Sequence, residues 1–113
     1  MGKRTLSANN VLEVEDDTTN LNAVTTATNG SSIDTRWYGE KSIFVNVSLN
    51  TGAVDVNIEA SHDGTTWFNV NTTTYTATNA TDIRSYTSYF PFMRTTTTTH
   101  SNATVTTTIT GRS

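Results

Sequence analysis

Hydrophobic and polar residues alternate along much of this chain. In SIFVNVSL, residues 42–49, Ile43, Val45, Val47 and Leu49 share one face, while Ser42, Asn46 and Ser48 take the other and Phe44 is the exception. In VDVNIEAS, residues 54–61, Val54, Val56, Ile58 and Ala60 alternate with Asp55, Asn57, Glu59 and Ser61. A period of two predicts strands with one face buried and one wet. Between them NTGA, residues 50–53, suits a four-residue hairpin loop because Gly52 is free to take a positive φ, so the two strands are expected to pair antiparallel.

The same pattern recurs on both sides. HDGTT, residues 62–66, reads as a tight turn, with Asp63 bonding its own downstream backbone and Gly64 left-handed. It returns the chain through TWFNV, residues 66–70, as a third strand whose Trp67 covers the edge of the core. YFPFMRTTTTTH, residues 89–100, reads as a strand with Pro91 near its start, an edge or initial position because proline cannot donate to a ladder. After SNA, TVTTTIT at 104–110 alternates Val105, Thr107 and Ile109 with threonines, which predicts a closing hairpin. Upstream, VLEVE at 11–15 is a short strand and SIDTRWYG at 32–39 another, whereas 16–30 is weakly patterned and reads as loop, with at most a short strand at 23–26. No segment carries a helical period.

Seven to eight short strands separated by Asn, Gly, Asp and Ser clusters predict an all-β fold. The expected form is a single antiparallel β-sandwich, jelly-roll-like, over 11–113, preceded by an extended N-terminal arm at 1–10. Composition supports this: apolar residues are 34% of the chain, but threonine, whose β-branched side chain suits a pleated sheet, adds about a quarter more. At 113 residues the chain can bury one modest core.

Charge and cysteine content narrow the function. The net charge is −3 and the basic run at Lys3-Arg4 stops there, so nucleic acid is not an expected partner. Without cysteine there is neither a disulfide framework nor a thiolate zinc site. No run approaches the roughly 20 apolar residues of a membrane span, and MGKRTLSANN lacks the apolar segment of a secretory signal, so no membrane partner is expected.

Candidate chemistry is sparse. His62 and His100 both fall in turns, and Asp63 has a turn to shape, so no catalytic residue is assigned. Glu13, Glu15, Asp16 and Asp17 form an acidic cluster without EF-hand spacing and read as a solvated strand end, so neither a metal nor a cofactor is expected. Trp37, Tyr38, Trp67, Phe68 and Tyr75, with Asp34 and Arg36 beside the first pair, fit either a sugar-stacking platform or core and interface anchors, and the anchor reading carries more weight. Alternation sets Arg94 beside Phe92 and within reach of Glu59 across the sheet. The candidate interface residues are Lys3, Arg4, Trp37, Tyr38, Trp67, Phe92 and Arg94, the aromatic and Arg types being those that anchor interfaces.

Three features together resemble a β-sandwich module of tailed-bacteriophage virion proteins: the strand pair at 42–61, the turn S-x-D-G-x-x-W at Ser61, Asp63, Gly64 and Trp67, and the aromatic strand into Arg94 followed by T-V-T-x-T-I-T-G. The resemblance covers residues 42–111. It implies a non-enzymatic capsid decoration (cement) protein, assembled in the host cytoplasm, that bridges major capsid protein subunits on the outer shell. It also implies a homo-oligomer, with a trimer the expected form. The alternatives are a carbohydrate- or receptor-binding module of a tail or fibre, and a head-completion or tail component.

Overall fold

The structure, a computed structural model, describes residues 17–113 in full and, before them, the strand backbone at 2–6 and 12–16. Among the described residues there are nine strands and no helix: β1 (Gly2–Leu6), β2 (Leu12–Val24), β3 (Ile33–Asp34), β4 (Glu40–Ser48), β5 (Ala53–Ser61), β6 (Phe68–Thr76), β7 (Ala80–Tyr86), β8 (Phe92–Ser101) and β9 (Thr104–Arg112). They form two antiparallel sheets, one in the order β1-β2-β9-β4-β7 and the other β3-β8-β5-β6. Without β1 these are the two four-stranded sheets of a jelly roll. Of the N-terminal segment read as an arm, residues 2–6 form β1, and 1 and 7–10 lie outside the described residues.

The expected hairpins are only partly present. β5 and β6 pair antiparallel across the HDGTT turn as expected. The strands on either side of NTGA do not pair: β4 lies in one sheet and β5 in the other, and β8 and β9 are likewise separated. A strand with one buried face can be satisfied by a sheet opposite as well as by a neighbour beside it, so alternation alone does not tell a hairpin from a crossover. The corners carry backbone strain that fits a sharp change of direction: Leu49, Ala77, Thr99 and Asn102 all have φ between 47° and 51°, each at a cost of about 1–2 kcal/mol for a residue other than glycine.

The segment read as loop at 16–30 is largely strand. β2 runs to Val24, but its pairing with β9 shifts register between Thr19 and Leu21 and again between Leu21 and Val24. Each irregularity breaks the period of two, which is why the pattern was not visible there. Asn20, at the first bulge, accepts from Thr95 N (2.6 Å) and Thr95 Oγ1 (2.7 Å) and donates to Ser31 O, tying the sheets together. Conversely, SIDTRWYG holds a strand of two residues, because beyond Asp34 it turns to cross between sheets. β7 occupies a stretch that no pattern marked.

The core lies between the sheets. Ile43, Val45, Val47, Val105, Ile109 and Leu21 of one face Val54, Val56, Ile58 and Met93 of the other, all buried. Threonine enters this core as well: Thr95 and Thr107 are fully buried, and their hydroxyls hydrogen-bond across the sheets at 2.6 Å. Mutual satisfaction removes the desolvation penalty that a lone buried hydroxyl would carry.

Candidate interaction surface

The short connections β3–β4 and β7–β8 bring the same end of both sheets together, and most of the sequence-derived candidates gather there. Thr35 N donates to Pro91 O at 2.9 Å and Thr35 Oγ1 to Phe90 O at 2.5 Å, joining the two connections. Lys41 reinforces the join from below. It is 1% exposed, and its Nζ donates to Tyr38 O (3.1 Å) and Ser88 O (2.7 Å) while lying 5.8 Å from the Phe90 ring centroid. Burial lowers its pKa from the usual lysine value.

Two cation–aromatic units sit on the rim. Arg36 donates through Nε and Nη2 to both carboxylate oxygens of Asp34, at 3.0 and 2.7 Å, and its guanidinium lies 5.4 Å from the Phe92 centroid. That bidentate bond holds the Asp34 carboxyl below its ordinary pKa. In the second unit Arg94 Nε donates to Glu59 Oε1 at 2.7 Å, with the guanidinium 4.4 Å from the Trp67 centroid. The register pairs Glu59 with Arg94 and Asp34 with Phe92, so both units lie on the outer face of the four-stranded sheet near its end. The expected Arg94–Glu59 contact and the position beside Phe92 are both present.

Trp37 stands in the turn before β4 with 72% of its surface exposed, and Tyr89 (70%) and Phe68 (58%) share this end. Tyr38, its chain neighbour, points the opposite way and is buried. Its ring covers Gly111 so closely that a Cβ there would lie 2.2 Å from Tyr38 Cδ2. Trp37 is therefore the exposed member of the pair. Lys3 and Arg4 fall in β1, which pairs with β2, and their side chains lie outside the described residues.

The opening of the β5–β6 hairpin is rigidly built. Asp63 Oδ1 accepts from Thr66 N (2.8 Å), Thr65 N (2.9 Å) and Ser61 Oγ (3.0 Å), and the two backbone donors hold its carboxyl far below its ordinary pKa. Gly64 takes φ 82°, as the turn requires. His62 stands exposed beside Phe68, whereas His100 is at the opposite end, its nitrogens bonded to Thr97 Oγ1 and Ala103 O. The two imidazoles share no site.

The five aromatics considered as a stacking platform are not coplanar neighbours. Tyr38 and Tyr75 are buried, and Tyr75 hydroxyl donates to Asp82 Oδ2 at 2.5 Å on the open side between β6 and β7. The narrow cleft there, lined by Asn71, Thr73, Tyr75, Asp82 and Arg84 among others, has room for about one water. Sequence reasoning did not single out Lys41, Tyr89 or the Arg36–Phe92 contact. An alternating strand gives a lysine no reason to be buried; only the two carbonyls brought above it by separate loops do so.

No family model matches the chain, and no curated protein sequence matches it. Among solved structures it is similar to the SPBc2 prophage-derived protein YomS, at 12% identity and a TM-score of 0.63, over 91% of this chain and 96% of that one. It is also similar to a structure from Bacillus endospore appendages, described as a family of disulfide-linked pili, at 22% identity and a TM-score of 0.54, over 88% of this chain and 82% of that one. At these identities the likeness is one of fold.

Proposed function

We propose that this chain is a non-enzymatic structural subunit of a phage-related particle, acting as a decoration protein that grips a shell through the loop end of its sandwich. The observation that carries this reading is the convergence of exposed Trp37, Tyr89 and Phe68 with the Arg36 and Arg94 units on one end. These are the side-chain types that dominate interface energetics, and they stand on a base stiffened by Lys41 and Thr35. The phage setting is supported by the sequence motifs and by a fold shared with a prophage-derived protein.

In this reading the partner is the major capsid protein, and the subunit stabilises the shell by spanning neighbouring capsid subunits. Each contact is modest, and many copies make the sum large. Homo-oligomerisation, with a trimer as the expected form, multiplies the contacts per particle. A carbohydrate-reading module is the second candidate because Trp37 is so exposed, although Arg36 already occupies both oxygens of the adjacent Asp34 carboxylate.

The test is co-sedimentation of the purified protein with phage heads assembled without it, counting copies bound and the heat resistance gained. Saturable binding in hundreds of copies, with shells that withstand more heating, is the expected result. Failure to bind heads, together with binding to glycans or cells, would transfer the loop end to receptor recognition.

A further inference from the structure

β7 is an open edge. It lies outermost in the five-stranded sheet, its far side has no strand partner among the described residues, and it pairs with β4 from Lys41 to Val47 without a register shift. A regular edge of this kind presents a row of N–H and C=O groups that can template another strand. β6, the neighbouring edge of the other sheet, is interrupted by a shift in its pairing with β5 between Ile58 and Glu59. β7 also borders an apolar site. Ile83 and Phe44 are cross-strand partners on the outer face of the sheet, 60% and 42% exposed, with serine, threonine and asparagine around them.

The sequence of β7 indicates what this edge fits. ATDIRSY, residues 80–86, carries opposite charges on either side of its central Ile83. A second β7 laid antiparallel along the first keeps both faces of the sheet continuous only if inner-face residues meet inner-face residues, so the register moves in steps of two and the two-fold axis passes through a residue. Centred on Asp82 or on Arg84, the pairing sets like charges directly opposite, which is destabilising. Centred on Ile83, it sets Asp82 against the second copy's Arg84, Thr81 against its Ser85 and Ala80 against its Tyr86, and each pair occurs twice. Carboxylate meets guanidinium, hydroxyl meets hydroxyl, and a small side chain meets a large one. Centres farther along the strand lose the Asp–Arg match and shorten the overlap.

The charged side chains stand where this pairing needs them. Asp82 and Arg84 oppose Val45 and Ile43 on β4, so both lie on the inner side of β7, lining the cleft beside β6. Arg84 is exposed, and its Nη2 donates to Thr73 Oγ1 at a long 3.4 Å. Tyr75 takes Oδ2 of Asp82, and a carboxylate accepts at both of its oxygens. We propose that two copies of this chain join edge to edge through β7, antiparallel about Ile83. The two five-stranded sheets become continuous, Asp82–Arg84 pairs cross on the inner face, and Ile83 and Phe44 of both copies cluster on the outer face. The contact is isologous and closes at two copies. It goes beyond the shell-gripping reading and uses another part of the molecule, and a three-fold contact would use a different surface again. Head sedimentation tests shell gripping, and self-association of the pure protein tests this.

Sedimentation velocity of the full-length protein over a concentration series reads the dimer, and the parent is expected to show a monomer–dimer equilibrium. Arg84→Glu sets two carboxylates opposite each other, and Ile83→Lys sets two ammonium groups across the axis. Because the symmetric contact counts the charge reversal twice, each variant is expected to weaken dimerisation by about tenfold or more. Arg84→Glu mixed with Asp82→Arg restores opposite charges at both positions, so the mixture should dimerise about tenfold more tightly than either variant alone. Circular dichroism checks folding. An arm independent of the Tyr75–Asp82 bond uses Ile83→Cys, in a chain with no cysteine of its own. Directly opposed residues of an antiparallel pair lie within disulfide reach, so mild oxidation should link Ile83→Cys into a dimer and leave Ser85→Cys, which is not opposite itself, unlinked. A monomeric parent, association that neither Arg84→Glu nor Ile83→Lys weakens, a mixture of folded variants no tighter than its components, or equal cross-linking at positions 83 and 85 would overturn the proposal.

Discussion

Lys41 shows how one residue can organise a surface it does not itself reach. Its ammonium is removed from water and held by carbonyls from two loops, so replacement by methionine keeps the packing volume but leaves Tyr38 O and Ser88 O without this donor. Lys41→Met is expected to cost about 1–3 kcal/mol in urea unfolding and to speed amide exchange in residues 36–39 and 87–90. Two other residues set the pH range of stability. Asp63 has a depressed pKa, so its contribution is present at neutral pH and is lost as pH falls below the ordinary carboxylate value toward its own lower one. Melting temperatures measured between pH 5 and pH 2 should therefore fall less steeply in Asp63→Asn than in the parent, from a lower starting value. Tyr75 behaves in the opposite sense. Burial, aided by the Asp82 carboxylate, pushes its hydroxyl up from 10.0 to about 12, so its contribution persists to about pH 10 and disappears as pH rises toward 12. Tyr75→Phe should lack that alkaline loss in the same melting assay.

Among the elements, β9 is central to its sheet, hydrogen-bonded to β2 on one side and β4 on the other. Its Gly111 carries the Tyr38 ring, which closes the end of the core beneath the exposed Trp37 turn. Gly111→Ala would force Tyr38 from its place, because the contact is with the ring itself and not with the tip of a flexible chain. The expected cost is about 1–3 kcal/mol, read by denaturant unfolding, with a change in Trp37 fluorescence as the turn shifts. The corners follow a different rule. Leu49 is 76% exposed with φ 50°, so its conformation is imposed by the crossover from β4 to β5 and not by burial of its side chain. Loop composition announced a turn at 50–53 and left Leu49 on the strand; the direction the chain takes afterwards depends on which sheet has room for β5.

For the whole molecule, attachment is the property the loop end is expected to carry. Trp37→Ala should leave folding unchanged, since the side chain is largely in water, while weakening attachment to phage heads by about 10- to 30-fold, the scale of an interfacial anchor. Ile83→Lys, in the middle of β7 and outside the loop-end cluster, should leave attachment intact in the same assay.

The all-β class, the positions of β4, β5, β8 and β9, the turn at Ser61–Thr66 and the neighbourhood of Phe92, Arg94 and Glu59 were determined by sequence, because a period of two and the chemistry of turns act between residues close in the chain. Tertiary structure alone decided that β4 and β5 belong to different sheets, that β2 extends through two bulges, that Lys41 and Tyr38 are inside while Trp37 is outside, and that threonines pair across the core. Those outcomes depend on which surfaces meet when two sheets close on each other: a residue's alternation says that one face is buried, and only the opposing sheet says by what.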